Sequence, residues 1–247
     1  MKVGLFIHAF YSDVLTDIVG TVPVGRFDGV VVTSSLPKEQ IVSVCMRKFD
    51  NVDFIKVPNV GRDIAPFVIF AQPKLKDYDL CLWLHTKKSL LLQAVWDSAP
   101  GLGSGWCEYL VKNLAGTGEI VDSIIKKFEE NPKLGMLFPE PYAGLPHKMS
   151  WGSNYSLSKE LCRRMEMDLH SNPDGSPPPH SSGTMFWFRP ESLRKLWNLK
   201  LKLDDFANVD INTLDGSIAH SLERIFGLIV DSSNYDVEVY TPHKVSK

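Results

Sequence analysis

Polar and charged side chains follow four short apolar runs in the first part of the chain, at the point where each run ends. Hydroxyl groups and backbone N–H groups suit a ribose and a base edge, whereas guanidinium and ammonium groups suit a diphosphate. If the runs are parallel strands, their carboxyl ends share one sheet edge, so we expect one nucleoside diphosphate site there. The residues are His8 and Tyr11 after the first run, Ser34 and Ser35 after the second, Asn59, Gly61, Arg62 and Asp63 after the third, and His85, Lys87 and Lys88 after the fourth.

Each of these motifs has a plainer interpretation when it is taken alone. Residues 59–63 are also typical of a capped turn with a surface ion pair, and two lysines after a strand are typical of a solvated loop. A single histidine such as His85 is more often a packed side chain than a base or a ligand. The expected convergence of all the motifs on one edge favours the site.

A second group of candidates lies near the end of the chain. We expect Trp187, in the aromatic run 185–188, to be exposed beside the site with Thr184, because aromatic faces stack on the apolar face of a sugar ring; core packing is the alternative. Asp215 is expected at the start of a helix, as the general base that deprotonates a sugar hydroxyl. The spacing of His220, Glu223 and Arg224 predicts one helix face, where a mutual ion pair is the alternative.

The sequence does not indicate a metal site or another cofactor. Asp77 and Asp79 form a D-x-D triplet, but they precede the fourth apolar run and so belong to the opposite edge of the expected sheet. At the expected site, His85 and Lys87 stand after that run, and protein cations can neutralise a leaving diphosphate. The sequence therefore predicts a transfer reaction that needs no divalent metal.

Alternating apolar runs and amphipathic segments predict an α/β fold, with a mostly parallel central sheet flanked by helices. The length of 247 residues and the 44% hydrophobic content favour one domain over residues 1–247. We expect a nucleotide-binding half at 1–100 and an acceptor half at 101–247, with a proline-rich surface loop at 172–180.

Charge and cysteine content limit the partners and the compartment. A net charge of −2 gives no basic field that would attract nucleic acid, so no nucleic acid partner is expected. Four separated cysteines without C-x-x-C spacing predict reduced core thiols and a cytoplasmic protein. No apolar run is long enough to suggest a membrane span, and a peripheral contact with the inner membrane stays open.

Five motifs together resemble the rhamnan synthesis F family of bacterial cell-surface polysaccharide proteins. The motifs are HAFY, NVGRDIAPF, LHTKKS, SGTMFWFRP and DGSIAHSLER, which begin at His8, Asn59, Leu84, Ser182 and Asp215. The resemblance implies transfer of L-rhamnose or a related deoxysugar from a dTDP-sugar to a lipid-linked glycan of a polysaccharide or lipopolysaccharide. It also implies work at the inner face of the cytoplasmic membrane, beside other polysaccharide-assembly enzymes.

A looser similarity to GT-A nucleotide-sugar glycosyltransferases implies a Rossmann-like, GT-A-type domain. By that similarity, residues 33–35 lie near the nucleoside, 59–63 near the diphosphate and donor sugar, and 183–187 near the acceptor. Asp215 is then the base of an inverting transfer, while Arg62, Lys87 and His85 stabilise the departing diphosphate. A non-catalytic glycan-binding or scaffold subunit is the alternative; a hydrolase or kinase ranks last because the chain lacks a phosphate-binding G-x-x-x-x-G-K-[ST] loop.

Overall fold

The computed structural model describes residues 1–88, 102–143, 150–207 and 215–241. Its sheet is built from short strands, most of them fully buried, as the apolar runs predict. The strands are β1 (Val3–Ala9), β2 (Gly29–Ser34), β3 (Val52–Lys56), β4 (Leu80–His85), β5 (Leu134–Pro139), β6 (Phe186–Phe188) and β7 (Asp236–Tyr240).

The strands form one sheet in the order β3-β2-β1-β4-β6-β5-β7. β1 to β4 are mutually parallel, β6 runs antiparallel to β4 and β5, and β7 is parallel to β5. The strand order reverses between β1 and β4, which is where ligands bind in open α/β sheets. The predicted α/β class, with a mostly parallel central sheet flanked by helices, is confirmed.

Helices cover both faces of this sheet. Two of them begin at side-chain caps, where the hydroxyl of Thr117 accepts from the Ile120 N–H and that of Ser217 accepts from the His220 N–H. The described helices are α1 (Ser12–Thr21), α2 (Lys38–Cys45), α3 (Gln72–Leu75), α4 (Leu102–Ala115), α5 (Gly118–Glu130), α6 (Tyr155–Arg164), α7 (Arg194–Asn198), α8 (Leu203–Ala207) and α9 (Ile218–Asp231).

Alternating strand residues supply two apolar cores, one on each face. Leu5 and Ile7 of β1 face the core under α1, α4 and α5, whereas Phe6 faces the core under α9. On that second side Phe67 stacks on Trp83, with ring centroids 3.8 Å apart. Burial of these faces fixes the strand register, because a shift by one residue would move every side chain of the strand into the opposite core, where it does not fit.

Two local features shape the connections after β2 and β3. The segment after β3 forms a π-helical turn over Pro66–Ala71, which is continuous with α3. After β2, the Ser34 hydroxyl accepts from the Leu36 N–H, and α2 begins after Pro37. None of the described helices is long and apolar enough to cross a membrane.

Candidate functional site

The carboxyl ends of β1, β2 and β4 are tied together by short side-chain hydrogen bonds. The Thr86 hydroxyl accepts from the backbone N–H groups of Phe10 and Tyr11, at 2.7 and 3.0 Å. The Ser34 hydroxyl donates to the carbonyl oxygen of Ala9 at 2.5 Å, and the His8 ring nitrogen Nδ1 lies 2.9 Å from the Thr33 hydroxyl oxygen. These contacts connect the three strand ends to one another. Ser34 and Thr33 are buried and are used in holding this edge of the sheet together.

An acid and a histidine meet beside this edge. Asp63 Oδ2 lies 3.6 Å from Nε2 of His85, and the same Nε2 lies 2.7 Å from the carbonyl oxygen of Gly183. A carbonyl only accepts, so Nε2 carries a proton and donates it to Gly183. Within the described part of the chain, Asp63 Oδ2 is buried and has no hydrogen-bond partner. The sequence-predicted pair Asp63 and His85 is therefore in contact with the loop before β6.

Neighbouring side chains decide the charge of this acid. Burial raises the pKa of Asp63, but the electrostatic effects of His85, Lys87 and His8 outweigh it, so the pKa lies below its usual value. The Lys87 ammonium also lies 4.2 Å from the ring centroid of Trp106. Burial lowers the pKa of His8 to about 4, so His8 is neutral near pH 7. The cluster thus holds a carboxylate beside a fixed lysine.

The turn after β3 has an unusual backbone. Gly61 and Arg62 are consecutive left-handed residues, with φ of 72° and 57°. A Cβ on Gly61 would lie 2.3 Å from the Ala65 Cβ and 2.8 Å from the Phe206 ring, so only glycine fits. Burial lowers the pKa of His220, and the charge of exposed Arg62 lowers it further. The charge of Arg62 therefore reaches His220 of α9, which belongs to the second group of candidates.

The loop before β6 has the same feature. Gly183 and Thr184 are both left-handed, with φ of 91° and 57°. Glu223 Oε1 accepts from the Gly183 N–H at 3.0 Å and from the Thr184 hydroxyl at 2.9 Å. A Cβ on Gly183 would lie 3.0 Å from the Trp106 ring. Backbone strain of this kind clusters at ligand sites.

Asp215 precedes α9, as the sequence predicts, but its carboxylate is already hydrogen-bonded within the protein. Its carboxylate accepts from the Ser153 N–H at 2.8 Å, from the Asn154 amide and from Arg224 at 3.1 Å. Burial raises its pKa, but these donors lower it below the usual value. Ser217, not Asp215, caps α9. A carboxylate with its lone pairs so occupied is a weak proton acceptor, so the geometry favours a structural clamp over a general base.

The expected exposure of Trp187 is wrong. Its side chain is fully buried, its indole N–H donates to the Leu114 carbonyl at 2.9 Å, and its ring stacks on Phe27. β6 is an inner strand between β4 and β5, so its side chains enter the two cores and cannot stack on a sugar. The core-packing alternative holds for this residue.

Other predicted residues lie at the rim of the edge. The Lys88 ammonium pairs with Asp13 at 2.5 Å and sits 4.7 Å from the Tyr11 ring centroid, so its charge is already partnered. Asn59 is exposed and Ser35 is half-buried. The mutual ion pair considered for α9 is also wrong, since Arg224 pairs with Asp215 and Glu223 contacts the Gly183–Thr184 turn.

Sequence reasoning missed two residues next to this site. Trp106 supports Lys87 and packs against Gly183, and its buried indole N–H has no partner in the described residues. His180 closes the proline-rich loop, is 5% exposed, and interacts electrostatically with Glu223. The one available signal was a histidine directly after three prolines, a position that fixes its backbone.

The donor set at this edge does not fit a divalent metal. Oxygen-rich carboxylate clusters hold Mg²⁺ or Mn²⁺, whereas Asp63 here has Lys87 and His85 as its neighbours. No group of three potential ligands in metal-binding geometry occurs among the described residues. Asp79 lies at the other sheet edge, where it accepts from the Lys2 N–H.

Sequence comparison identifies relatives of nearly the whole chain. A curated relative, the uncharacterized protein WxcX of Xanthomonas campestris pv. campestris (strain B100), is 32% identical over 234 residues. The alignment covers 94% of this chain and 32% of the relative, so the chain spans about a third of the length of that protein. The WxcX protein of strain ATCC 33913 gives the same identity and coverage.

Two solved structures that the comparison finds are remote from this chain in sequence and have low TM-scores. A cytidylyltransferase from Leptospira borgpetersenii is 12% identical with a TM-score of 0.44, over 99% of this chain and 77% of that chain. Glucosyl-3-phosphoglycerate synthase from Mycobacterium tuberculosis, solved with Mn²⁺, UDP and glucosyl-3-phosphoglycerate, is 11% identical with a TM-score of 0.36. That match covers 78% of this chain and 58% of the synthase.

The family model described as "Rhamnan synthesis protein F" matches residues 1–235, which include all five motifs and every element that forms the site. The chain therefore belongs to the rhamnan synthesis protein F family.

Proposed function

We propose that this chain is a glycosyltransferase domain that moves a sugar from a nucleotide-sugar donor to a glycan of a bacterial cell-surface polysaccharide. Family membership supports this activity. The single observation that carries it is the contact of Asp63, His85 and the Gly183 loop at the switch point of the sheet. That edge is where an open α/β sheet binds its ligand.

The donor diphosphate is assigned to the side of the site that carries Lys87 and Arg62. Lys87 is held over Trp106 and acts as a point charge, while the Arg62 guanidinium can grip a phosphate in two places. His85 donates from Nε2 to Gly183, so its part is to hold the loop and the adjacent charge in place. Two cations near a leaving diphosphate lower the barrier by stabilising the charge that develops on it.

The general base is assigned to Glu223 in place of Asp215. Both contacts of the Glu223 carboxylate use Oε1, and no described donor contacts Oε2. A base needs a free lone pair within reach of the acceptor hydroxyl. Both oxygens of Asp215 accept hydrogen bonds from described donors, whereas Oε2 of Glu223 accepts none. Glu223 would remove the hydroxyl proton as the oxygen attacks the anomeric carbon from the face opposite the diphosphate, which inverts that carbon.

The finer assignments rest on the family. We propose dTDP-L-rhamnose as the donor, a lipid-linked glycan as the acceptor, and a reaction that needs no divalent metal. All four cysteines are free and buried, which supports the cytoplasmic location proposed from the sequence. We expect turnover to be retained in excess chelator, because the reaction needs no metal. A loss of turnover that added Mn²⁺ restores would contradict this expectation.

Substitution of the proposed base tests the mechanism. Glu223→Gln keeps an amide oxygen that can accept from Gly183 and Thr184 but removes the base. We expect it to lower kcat for rhamnosyl transfer by about 10²–10⁴-fold with little change in donor binding. Asp215→Asn is the matched control, since it removes a carboxylate from the same helix end. If Glu223→Gln turns over fully and Asp215→Asn does not transfer sugar, Asp215 is the general base. If the wild-type protein neither transfers sugar nor binds the donor, a non-catalytic subunit is favoured.

A further inference from the structure

A cavity of about 630 Å³ lies between α1 and α4, and the mechanism proposed above does not use it. Its apolar lining comes from Val14 and Ile18 of α1 and from Cys107 and Val111 of α4. Lys87, which follows β4, forms part of its wall. Cavities of about 300–1,000 Å³ with an apolar lining and a few polar groups are typical of small-molecule sites.

Most of the charged side chains around this lining are paired with one another. The pairs are Lys88 with Asp13, at 2.5 Å, and Lys112 with Glu108, at 2.6 Å. The Asp17 carboxylate and the Lys87 ammonium also line the cavity, and neither is in ion-pair contact with a described residue. The cavity therefore fits a ligand that combines an anionic group, an apolar face and a hydrogen-bond donor.

A nucleoside diphosphate has these three features. Its diphosphate matches Lys87, to which the proposed function already assigns it, and the face of its base is apolar. The Asp17 carboxylate only accepts, so it matches an N–H on the edge of the base. Only a ribose separates the base from the diphosphate, so the base must bind next to the cation that holds the diphosphate, as this cavity allows. A lipid chain would leave Asp17 without a donor.

The sheet edge where the sequence suggests the nucleoside is already occupied by protein contacts. Thr33 and Ser34 are fully buried. The Thr33 hydroxyl contacts the His8 ring, while the Ser34 hydroxyl donates to the Ala9 carbonyl and accepts from the Leu36 N–H. Neither hydroxyl is free to bind a ribose or a base, and this favours the cavity between α1 and α4.

We propose that the cavity between α1 and α4 is the base-binding subsite for the nucleotide of the donor, with the base edge donating to Asp17 and the diphosphate held at Lys87. This subsite replaces the expected nucleoside position at residues 33–35. The inference rests on the proposed function, which makes a nucleotide-sugar the ligand, but it requires binding only and no transfer of sugar.

Cys107 reports on this cavity without any substitution. It lines the cavity, whereas none of the other three cysteines, all of them described, does so. Burial raises the pKa of Cys45 and Cys162 to about 11, so we expect N-ethylmaleimide to modify Cys107 first. At about ten times its Kd, dTDP should slow this modification about tenfold, as measured by peptide mass spectrometry. Pyrophosphate, which has no base, should not slow it.

Two substitutions test the cavity by calorimetric titration. Val14→Trp fills it from a half-buried position, and Val24→Trp is the matched control because Val24 is exposed and lies outside the lining. We expect Val14→Trp to bind dTDP about tenfold more weakly than wild type and to bind pyrophosphate equally well. Asp17→Ala, at an exposed position, should also weaken dTDP binding about tenfold. Thermal unfolding shows whether each variant has kept its fold.

The outcomes separate this inference from the proposed function. It would be overturned by wild-type affinity for dTDP in both Val14→Trp and Asp17→Ala, or by equal binding of dTDP and pyrophosphate to wild type. Absence of dTDP binding, or protection of Cys107 by a short-chain lipid phosphate but not by dTDP, would overturn it as well. If dTDP protects Cys107 but no sugar is transferred from dTDP-L-rhamnose, the glycosyltransferase proposal fails and the base subsite stands. If sugar is transferred and dTDP leaves Cys107 unprotected, the transferase stands and the base subsite fails.

Discussion

The Nε2 atom of His85 lies 2.7 Å from the carbonyl oxygen of Gly183, although the two residues are 98 positions apart in the chain. Glu223 accepts from the N–H of the same Gly183. One glycine therefore connects the end of β4 to α9, since side chains of the site hold both its N–H and its carbonyl oxygen. This bridge joins the cation side of the site to the proposed base.

Replacement of Gly183 should break the bridge. A Cβ there meets the Trp106 ring at 3.0 Å and Leu110 at 2.9 Å, and the residue has a φ of 91°. We expect Gly183→Ala to lower the free energy of unfolding by about 1–3 kcal/mol and to abolish most of the transfer. Gly175→Ala is the control, since its φ is 79° but nothing lies within 4 Å of its Cβ position. Equal transfer by the two variants would show that the bridge is not needed.

Replacement of Thr184 by glycine should lower the transfer activity without lowering the stability of the fold. A β-branched residue with a φ of 57° is strained, whereas glycine adopts this conformation without steric strain. We expect Thr184→Gly to be at least as stable as wild type in chemical denaturation, because the strain relief offsets the lost hydrogen bond to Glu223. Transfer should nevertheless fall, since Glu223 loses one of its two donors. A variant that is clearly less stable and fully active would contradict the expectation.

Asp215 should matter mainly for stability. Its carboxylate holds Ser153, Asn154 and Arg224 together, and hydrogen bonds to charged groups are each worth about 1.5–3 kcal/mol. We expect Asp215→Asn to lower the free energy of unfolding by about that amount and to lower kcat less than about tenfold. Urea titration and steady-state kinetics on the same preparation measure both effects. A stable variant without turnover would contradict the clamp.

Acid should destabilise the protein partly through His8. The folded pKa is about 4 against an ordinary value of 6.5, so the unfolded chain takes up a proton first as the pH falls. Stability is therefore lost between pH 6.5 and about 4, by about 3 kcal/mol at about 1.4 kcal/mol per unit. Unfolding of His8→Asn should depend less on pH in this window. If the free energy of unfolding of variant and wild type depends on pH in the same way, His8 does not contribute to the acid destabilisation.

The sheet and its edge were predictable because the signal for them is local. The apolar runs of β1, β2 and β4 are buried at every position, and parallel pairing follows from the helices between them. The same parallel pairing predicts that Asp63 and His85 lie at one edge of the sheet. The position of β6 between β4 and β5 was not predictable from its three residues, and this inner position buries Trp187.

Contacts between side chains that are distant in the chain could not be predicted from the sequence. Asp215 precedes a helix and so resembles a base, but its hydrogen bonds go to residues 153 and 154, which no periodicity connects to it. The cavity between α1 and α4 depends on the packing of two helices that β2, β3 and β4 separate in the chain. Such properties arise from tertiary geometry, which hydrophobic patterns do not encode.

Calorimetric titration of dTDP-L-rhamnose in excess chelator tests the central claim most directly, since it asks whether protein cations at the β4 edge bind a sugar diphosphate. Wild type should bind, and Lys87→Met, which keeps an apolar side chain against Trp106, should bind about tenfold or more weakly. Lys112→Met, which breaks an exposed ion pair with Glu108, should bind like wild type. Equal affinity of Lys87→Met and wild type, or no binding by wild type with or without Mn²⁺, would contradict the account.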